Sequence, residues 1–150
     1  MNPPIFHLSF PVRDIESSKD FYVTGLGCQI GRQSAVAMML DFHGHQLVAQ
    51  VTEDLGLPPK NIYPRHFGLV CQTEQEWTQL RDRARKYKLE FFREPQRRFT
   101  GKPIEHLSFF LKDPSHNLLE FKFYLRASAI FGEQDCSQIG DEHERLGSKT

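Results

Sequence analysis

The chain has 150 residues and 19 basic against 19 acidic side chains, so its formal charge is zero. That balance carries no nucleic-acid or acidic-surface footprint, and no apolar stretch approaches the ~20 residues that span a bilayer. The length suits one compact domain, or two small modules sharing a core, with thirteen phenylalanines to supply much of the apolar interior.

Cys28, Cys71 and Cys136 are odd in number and widely spaced, without a CxxC pair, which predicts reduced thiols in a reducing compartment. The opening residues MNPPIFHLSF lack the basic region and long apolar run of a secretory signal. A soluble cytoplasmic protein is the expectation.

In chain order, Ile5–Val12 (IFHLSFPV) alternates as a strand, with Phe6, Leu8, Phe10 and Val12 toward a core and Ile5, His7 and Ser9 on the other face. Asp14 can cap a helix that runs to about Leu26, with Ile15, Phe21, Tyr22 and Leu26 near one stripe and Gly27 as the stop. Three short strands follow at Cys28–Gln33, Val36–Phe42 and Gln46–Thr52, the last two joined by a turn at His43-Gly44-His45. Gln46, Val48 and Gln50 share one strand face, and Leu47, Ala49 and Val51 the core face. Residues 53–64 hold three prolines and a glycine without a period and read as a linker.

A second round opens at His66–Cys71 (HFGLVC), with His66, Gly68 and Val70 facing away from the core. Thr73 and Glu76 form a capping box, and Trp77, Leu80, Ala84 and Tyr87 follow at helical spacing. Glu90–Glu94 is a strand, PQRRFTGKP a loop. The stretch KPIEHLSFFLKDPSHNLLEFKFY then reads as two strands around a turn at 113–117. On the second of these, Leu119, Phe121, Phe123 and Leu125 take the core face; Leu118, Glu120, Lys122 and Tyr124 take the other. From about Arg126 the chain turns polar, apart from Ala129, Ile130 and Phe131, and its last dozen residues read as solvated.

The pattern is a repeat of a βαβββ unit. It predicts an α+β protein of two βαβββ modules forming a cupped mixed β-sheet with helices outside. Residues 1–125 form the domain (module one about 4–52, linker 53–64, module two about 65–125), followed by a polar tail at 126–150. His7 opens the first unit as His66 opens the second, and Gln50 pairs with Glu120 at the unit ends. A mid-strand carboxylate off the core needs a cation, donors or a metal as partner. His7, His66 and Glu120 are the ligand types of a 2-His-1-carboxylate metal site with open positions, and the repeat adds Gln50 as a fourth corner. Each histidine alone is more often a surface residue, and Glu120 alone the partner of Lys122; the matched places in the repeat favour the site. His106 is either a general acid or base beside a substrate or a polar residue near a strand start. His43, His45 and His116 fall in turns. Arg97 and Arg98 read as solvated loop charges, or as a pair favouring an anionic substrate.

The stretches FHLSFPVRDIESSKDFYVTGLG, RHFGLV and DPSHNLLEF, with the repeat across roughly residues 4–125, resemble the vicinal oxygen chelate superfamily. That group holds glyoxalase I, fosfomycin- and bleomycin-resistance proteins and extradiol dioxygenases. HGHQLVAQ and the HFG start of the second unit are most similar to a bacterial subgroup predicted to be related to extradiol dioxygenases. His116 replaces the glycine of the group's D-P-x-G-N-x-x-E turn. The resemblance implies a divalent metal on His7, Gln50, His66 and Glu120, with Fe(II) or Mn(II) favoured and Ni(II) or Zn(II) as alternatives. It implies oxidative ring cleavage of a small aromatic diol, the substrate being anionic or aromatic. The tyrosine usual in extradiol enzymes is replaced by Phe110, leaving Tyr124 for that role beside His106. A glyoxalase-like isomerase or lyase, in which the metal polarises a carbonyl, is the alternative; a metal-free binding protein of bleomycin-resistance type is the third reading. Modules of this group pair within one chain or between two, so a homodimer is an option. No nucleic-acid or membrane partner is expected.

Overall fold

A computed structural model of the chain describes residues 2–141. Strands β1 His7–Val12, β2 Gln29–Gln33, β3 Ala37–Phe42 and β4 His45–Val51 precede β5 Phe67–Val70, β6 Glu90–Arg98, β7 His106–Lys112 and β8 Leu118–Tyr124; the α-helices are α1 Ile15–Lys19 and α2 Glu74–Lys86. The strands form two four-stranded sheets of matching order, β1-β4-β3-β2 and β5-β8-β7-β6. In each, the opening strand pairs in parallel with the closing one, so the expected pair of βαβββ modules is the architecture. Two compact units result. Unit one comprises the chain up to Pro58 with Arg83–Glu90 and Lys112–Asn117, and unit two comprises Pro59–Asp82, Phe91–Leu111 and the chain from Leu118. Of the expected polar tail, residues 142–150 lie outside the described residues. No helix among the described residues is long and apolar enough to cross a membrane.

Unit one follows its binary pattern. Phe10 and Val12 of β1, Met38, Leu40 and Phe42 of β3, and Leu47 and Ala49 of β4 are buried with Phe21, Tyr22 and Leu26. Each large side chain so buried contributes about 1.5–3 kcal/mol. Asp14 caps α1 by accepting the Ser17 amide proton, and the helix continues as a π-helical stretch over Asp20–Gly25. Gly27 then takes a left-handed conformation (φ 81°) and ends it. Phe6 departs from the expected pattern. It precedes β1 and is 59% exposed, its ring edge-on to His45, because strand pairing begins only at His7.

The turn between β7 and β8 belongs to unit one and is organised by the buried Asp113. Its Oδ1 accepts the amide protons of Ser115 and Asn117, and its Oδ2 accepts the Tyr22 hydroxyl and the Asn117 amide. Asn117 also donates to the Pro11 carbonyl, and the Arg13 amide donates to the Ser115 hydroxyl. His116 itself adopts φ 70° in this turn, the left-handed conformation that favours glycine. A side chain there costs about 1–2 kcal/mol, and its Nδ1 is buried without a hydrogen-bond partner among the described residues. His116→Gly should therefore raise stability by about 0.5–1 kcal/mol once glycine's added chain entropy is set against the gain, readable as a rise in the urea midpoint.

In unit two the inner strands β7 and β8 are buried on both faces over most of their length. On the α2 side, Trp77 packs on Phe109 and donates its indole N–H to the Phe121 carbonyl. On the other, Ile62, Phe110 and Leu118 form a second small core. The expected capping box holds, with Glu76 N–H donating to the Thr73 hydroxyl and the Glu76 carboxylate accepting from Thr73 N–H. Two expectations are corrected here. The loop placed at residues 95–103 begins later, because β6 continues through Pro95 to Arg98; β6 is an edge strand, where proline's missing donor costs no ladder bond. Leu125, expected in the core, follows the end of β8 and is 44% exposed.

Candidate active site

The residues named from sequence divide between the units. In unit one, His7 is exposed on β1, and its Nδ1–H donates to the Gln46 Oε1 at 2.7 Å. The Gln46 amide nitrogen in turn donates to the Met39 sulfur, which fixes which end of the amide faces the ring. His7 therefore offers Nε2 outward. Gln50 is exposed at the far end of β4, where it pairs with Pro11, four residues beyond Gln46, the partner of His7. At ~3.3 Å per residue that separates His7 and Gln50 by about 13 Å along the strands. In unit two Glu120 pairs with Gly68, two residues after His66. The matching place in unit one, opposite Ser9, belongs to Val48. Register thus makes Val48, not Gln50, the counterpart of Glu120.

Unit two brings its named residues together. A cavity of about 600 Å³ is lined by His66, Arg98, His106, Glu120, Lys122 and Tyr124 among others. His66 is held at Nδ1 by the Ile62 carbonyl, 2.7 Å away, and braced edge-on by Phe110. Its Nε2 faces the Glu120 Oε1 at 3.3 Å. Glu120 is 6% exposed; its Oε2 accepts the Ser108 hydroxyl at 2.7 Å, and the Lys122 ammonium stands 3.4 Å from Oε1. Burial works against the charged carboxyl. The His66 hydrogen bond, the Lys122 charge and Ser108 outweigh it and hold the Glu120 pKa down at about 2. Burial likewise opposes the charged His66 ring, but its bonds to Glu120 and Ile62 prevail and raise its pKa. His106 is the reverse case: burial, helped by the Lys122 and Arg98 charges, lowers its pKa and keeps the ring neutral. It donates Nδ1–H to the Ile104 carbonyl and lies 4.9 Å, centroid to centroid, from the ring of Tyr124.

A metal's fit can be judged from these bonds. Since Ile62's carbonyl can only accept, Nδ1 of His66 carries a proton, and the neutral ring turns its Nε2 lone pair on a carboxylate oxygen. That arrangement asks for a cation between them or a second proton on the ring. Two donors on one ion at ~2.0–2.2 Å stand about 3.0–3.5 Å apart, which the observed spacing matches, and a carbonyl-held Nδ1 is the usual support of a ligating imidazole. The pair fits a metal. Among the described residues, no three His, Cys, Asp or Glu side chains converge as a metal site.

The same pair sets a pH limit for metal-free protein. Glu120's folded pKa lies below its ordinary 4.5, so its contribution is complete above pH 4.5 and is lost as pH falls toward about 2. The loss amounts to about 3 kcal/mol. His66, with its pKa raised above 6.5, contributes fully below that value and less as pH rises through the folded one. Urea denaturation at pH 5 and pH 3 should show a smaller drop for Glu120→Gln than for wild type; equal drops would refute this.

Sequence reading named Arg97 and Arg98 together, as solvated charges or as a pair favouring an anionic substrate, and did not tell them apart. The two arginines, at the end of β6, separate: Arg97 is exposed and pairs with Glu105, whereas Arg98 is buried and bonded to Asp141. Lys122 was visible as a face-mate of Glu120, but nothing in the local pattern marked residues 129–140 as cavity lining.

The family model for the glyoxalase/bleomycin resistance protein/dioxygenase superfamily matches residues 5–121, most of the chain. The chain belongs to that superfamily. Among solved structures, a glyoxalase/bleomycin resistance protein/dioxygenase from Alicyclobacillus acidocaldarius is 38% identical, with a TM-score of 0.82 over 87% of this chain and 100% of that one. The fosfomycin resistance protein FosX of Listeria monocytogenes shares the fold at 15% identity, with a TM-score of 0.66 over 86% of this chain and 99% of its own. A superfamily protein from Nocardioides does so at 18% identity and a TM-score of 0.61, over 85% and 87%. Among curated proteins none matches. Superfamily members include dioxygenases, glyoxalases and fosfomycin-modifying enzymes and commonly use divalent metals.

Proposed function

We propose that the chain is a metal-dependent enzyme of extradiol-dioxygenase type, acting on a small anionic or aromatic diol, with His66, Glu120 and His7 as metal ligands. The observation that carries it is His66 Nε2 facing Glu120 Oε1 at 3.3 Å with Nδ1 already committed to a carbonyl. His7 repeats the device, its Nδ1 committed to Gln46; the reading needs this imidazole from the same chain or from a second copy in a homodimer. With Val48 in the register place of Glu120, the set is two histidines and one carboxylate, which leaves open positions. Glyoxalase-like chemistry asks for a further carboxylate, and Gln50 supplies none.

Bound there, Fe(II) or Mn(II) would supply the charge that draws in an ionised diol and a path by which the diol's own electrons reach dioxygen. His106 is the base: its Nδ1–H is spent on Ile104, so Nε2 is free to take a diol proton, and its lowered pKa keeps it ready at neutral pH. Tyr124, packed against that ring, orients it. All three cysteines are free, in keeping with a reducing cytoplasm.

The test is elemental analysis of anaerobically purified protein, followed by a spectrophotometric assay of catechols for ring-opened product. Near-stoichiometric iron or manganese with ring opening is expected. Protein that emerges metal-free from gentle purification and still binds aromatics would be a sequestering protein instead. Metal-loaded protein that cleaves no catechol would refute the dioxygenase assignment.

A further inference from the structure

We infer that the molecule bound in the unit-two cavity carries a carboxylate, and that this carboxylate docks on Arg98 in place of the side chain of Asp141. The inference rests on that cavity being the substrate site, but not on the metal or the ring cleavage.

Arg98 ends β6 with 8% of its surface exposed, and its guanidinium lies among the cavity's walls. A buried guanidinium needs an anion. The anion it has is the Asp141 carboxylate, joined to it by a close ion pair. Asp141 is the weaker-held partner, its side chain 39% exposed. It sits at the end of a stretch, residues 132–141, that contains no strand and no helix and in which every residue is at least partly exposed. At its end the stretch is fastened by this ion pair and by the Asp141 amide donating to the Tyr63 hydroxyl at 2.8 Å. Several of its residues line the cavity, so the stretch covers the cavity while Asp141 occupies the buried guanidinium of Arg98.

Charge says what could replace it. The fixed charges lining the cavity are Arg98 and Lys122 against Glu120 and Glu133, with Asp141 paired to Arg98. Glu133 is matched by Arg126 and by the Ser128 hydroxyl, and Glu120 by Lys122. Once Asp141 withdraws, Arg98 keeps its hydrogen bond to Tyr63 and a share of the Glu120 charge that Lys122 already pairs, but no ion pair of its own, and a monoanion restores one. Guanidinium recognises a carboxylate through two parallel bonds, which a phenol or other neutral head cannot return. Phe99, Phe110 and Tyr124 give the rest of the cavity aromatic walls, and about 600 Å³ suits a single-ring acid with room over. An aromatic carboxylate is the class that fits.

Benzoate is the probe, with phenol as its neutral counterpart. Isothermal titration uses full-length protein as purified and again after EDTA treatment. Benzoate should bind in both, with phenol at least about tenfold weaker. Asp141→Asn, which keeps shape but removes the competing charge, should tighten benzoate about tenfold, the gain expected if the covering stretch is closed about nine-tenths of the time. Arg98→Gln should lose benzoate, and Arg98→Gln with Asp141→Asn should show no tightening. Arg98→Lys, which keeps the charge without the fork, should fall between. Unchanged or weakened benzoate binding in an Asp141→Asn protein that melts like wild type would overturn the inference, as would phenol binding as tightly as benzoate. Loss of catechol cleavage with these titrations intact would sink the enzyme reading and leave this one standing.

Discussion

Gly68→Ala should destabilise the protein by about 3 kcal/mol and empty the site at the same time. A methyl built on Gly68 would lie 1.7 Å from the Glu120 carbonyl oxygen and 2.6 Å from its carbon. These are backbone atoms of the paired strand, so no side chain can swing aside. Room appears only if β5 and β8 part, and those strands carry His66 and Glu120. Gly44 is the control: it takes φ 90° in the β3–β4 turn, yet an added methyl meets nothing within 4 Å. Gly44→Ala should cost only its backbone strain, about 1–2 kcal/mol, and leave ligand binding unchanged. Urea denaturation and benzoate titration of both variants give the answer. If Gly68→Ala is as stable as Gly44→Ala, the β5–β8 contact is looser than this geometry requires.

Metal affinity should fall more than about 100-fold in His66→Ala and in Glu120→Ala, since on the proposed reading each removes a ligand and leaves its neighbour with an unanswered lone pair or charge. A larger contrast with expectation lies in the two glutamines. Gln50→Ala should change affinity less than about tenfold, because register holds it two residues past the place matching Glu120. Gln46→Ala should cost about 10–100-fold, because Gln46 fixes the Nδ1 proton and hence the outward lone pair of His7. Competition titrations against a chromophoric chelator would rank the four. Gln50→Ala falling in line with His66→Ala would restore the four-cornered site and with it the isomerase or lyase reading.

The contrast between the glutamines shows where sequence reading stops. Strand alternation told which face Gln46, Val48 and Gln50 share, and it was right; it carries no information on which residue of β1 stands opposite each, because register in a parallel pair is set by a partner some forty residues away. Asp14, Gly27 and the Thr73–Glu76 box were legible because each works within a few residues of itself. Phe6 read as core by period and is not, since alternation continues past the point where the ladder begins. Pro95 read as a breaker, and only the knowledge that β6 is an edge strand cancels that reading. His66, His106, Glu120 and Tyr124 share a cavity as their faces implied. Which of the paired arginines is buried was not legible, because Arg98 finds its partner at Asp141, beyond anything a local pattern reports.

Asp113 and its turn also say something about synthesis. Tyr22, Arg13 and Pro11 of unit one find their partners at Asp113, Ser115 and Asn117, across 91, 102 and 106 residues of chain. The first module therefore leaves the ribosome before the turn that completes its hydrogen bonds exists. At ~5–20 residues per second, the interval between Pro58 and Asn117 leaves it about 3–12 s with the Tyr22 hydroxyl and the Pro11 carbonyl still unmatched. A polypeptide ending at Pro58 would lack those partners permanently.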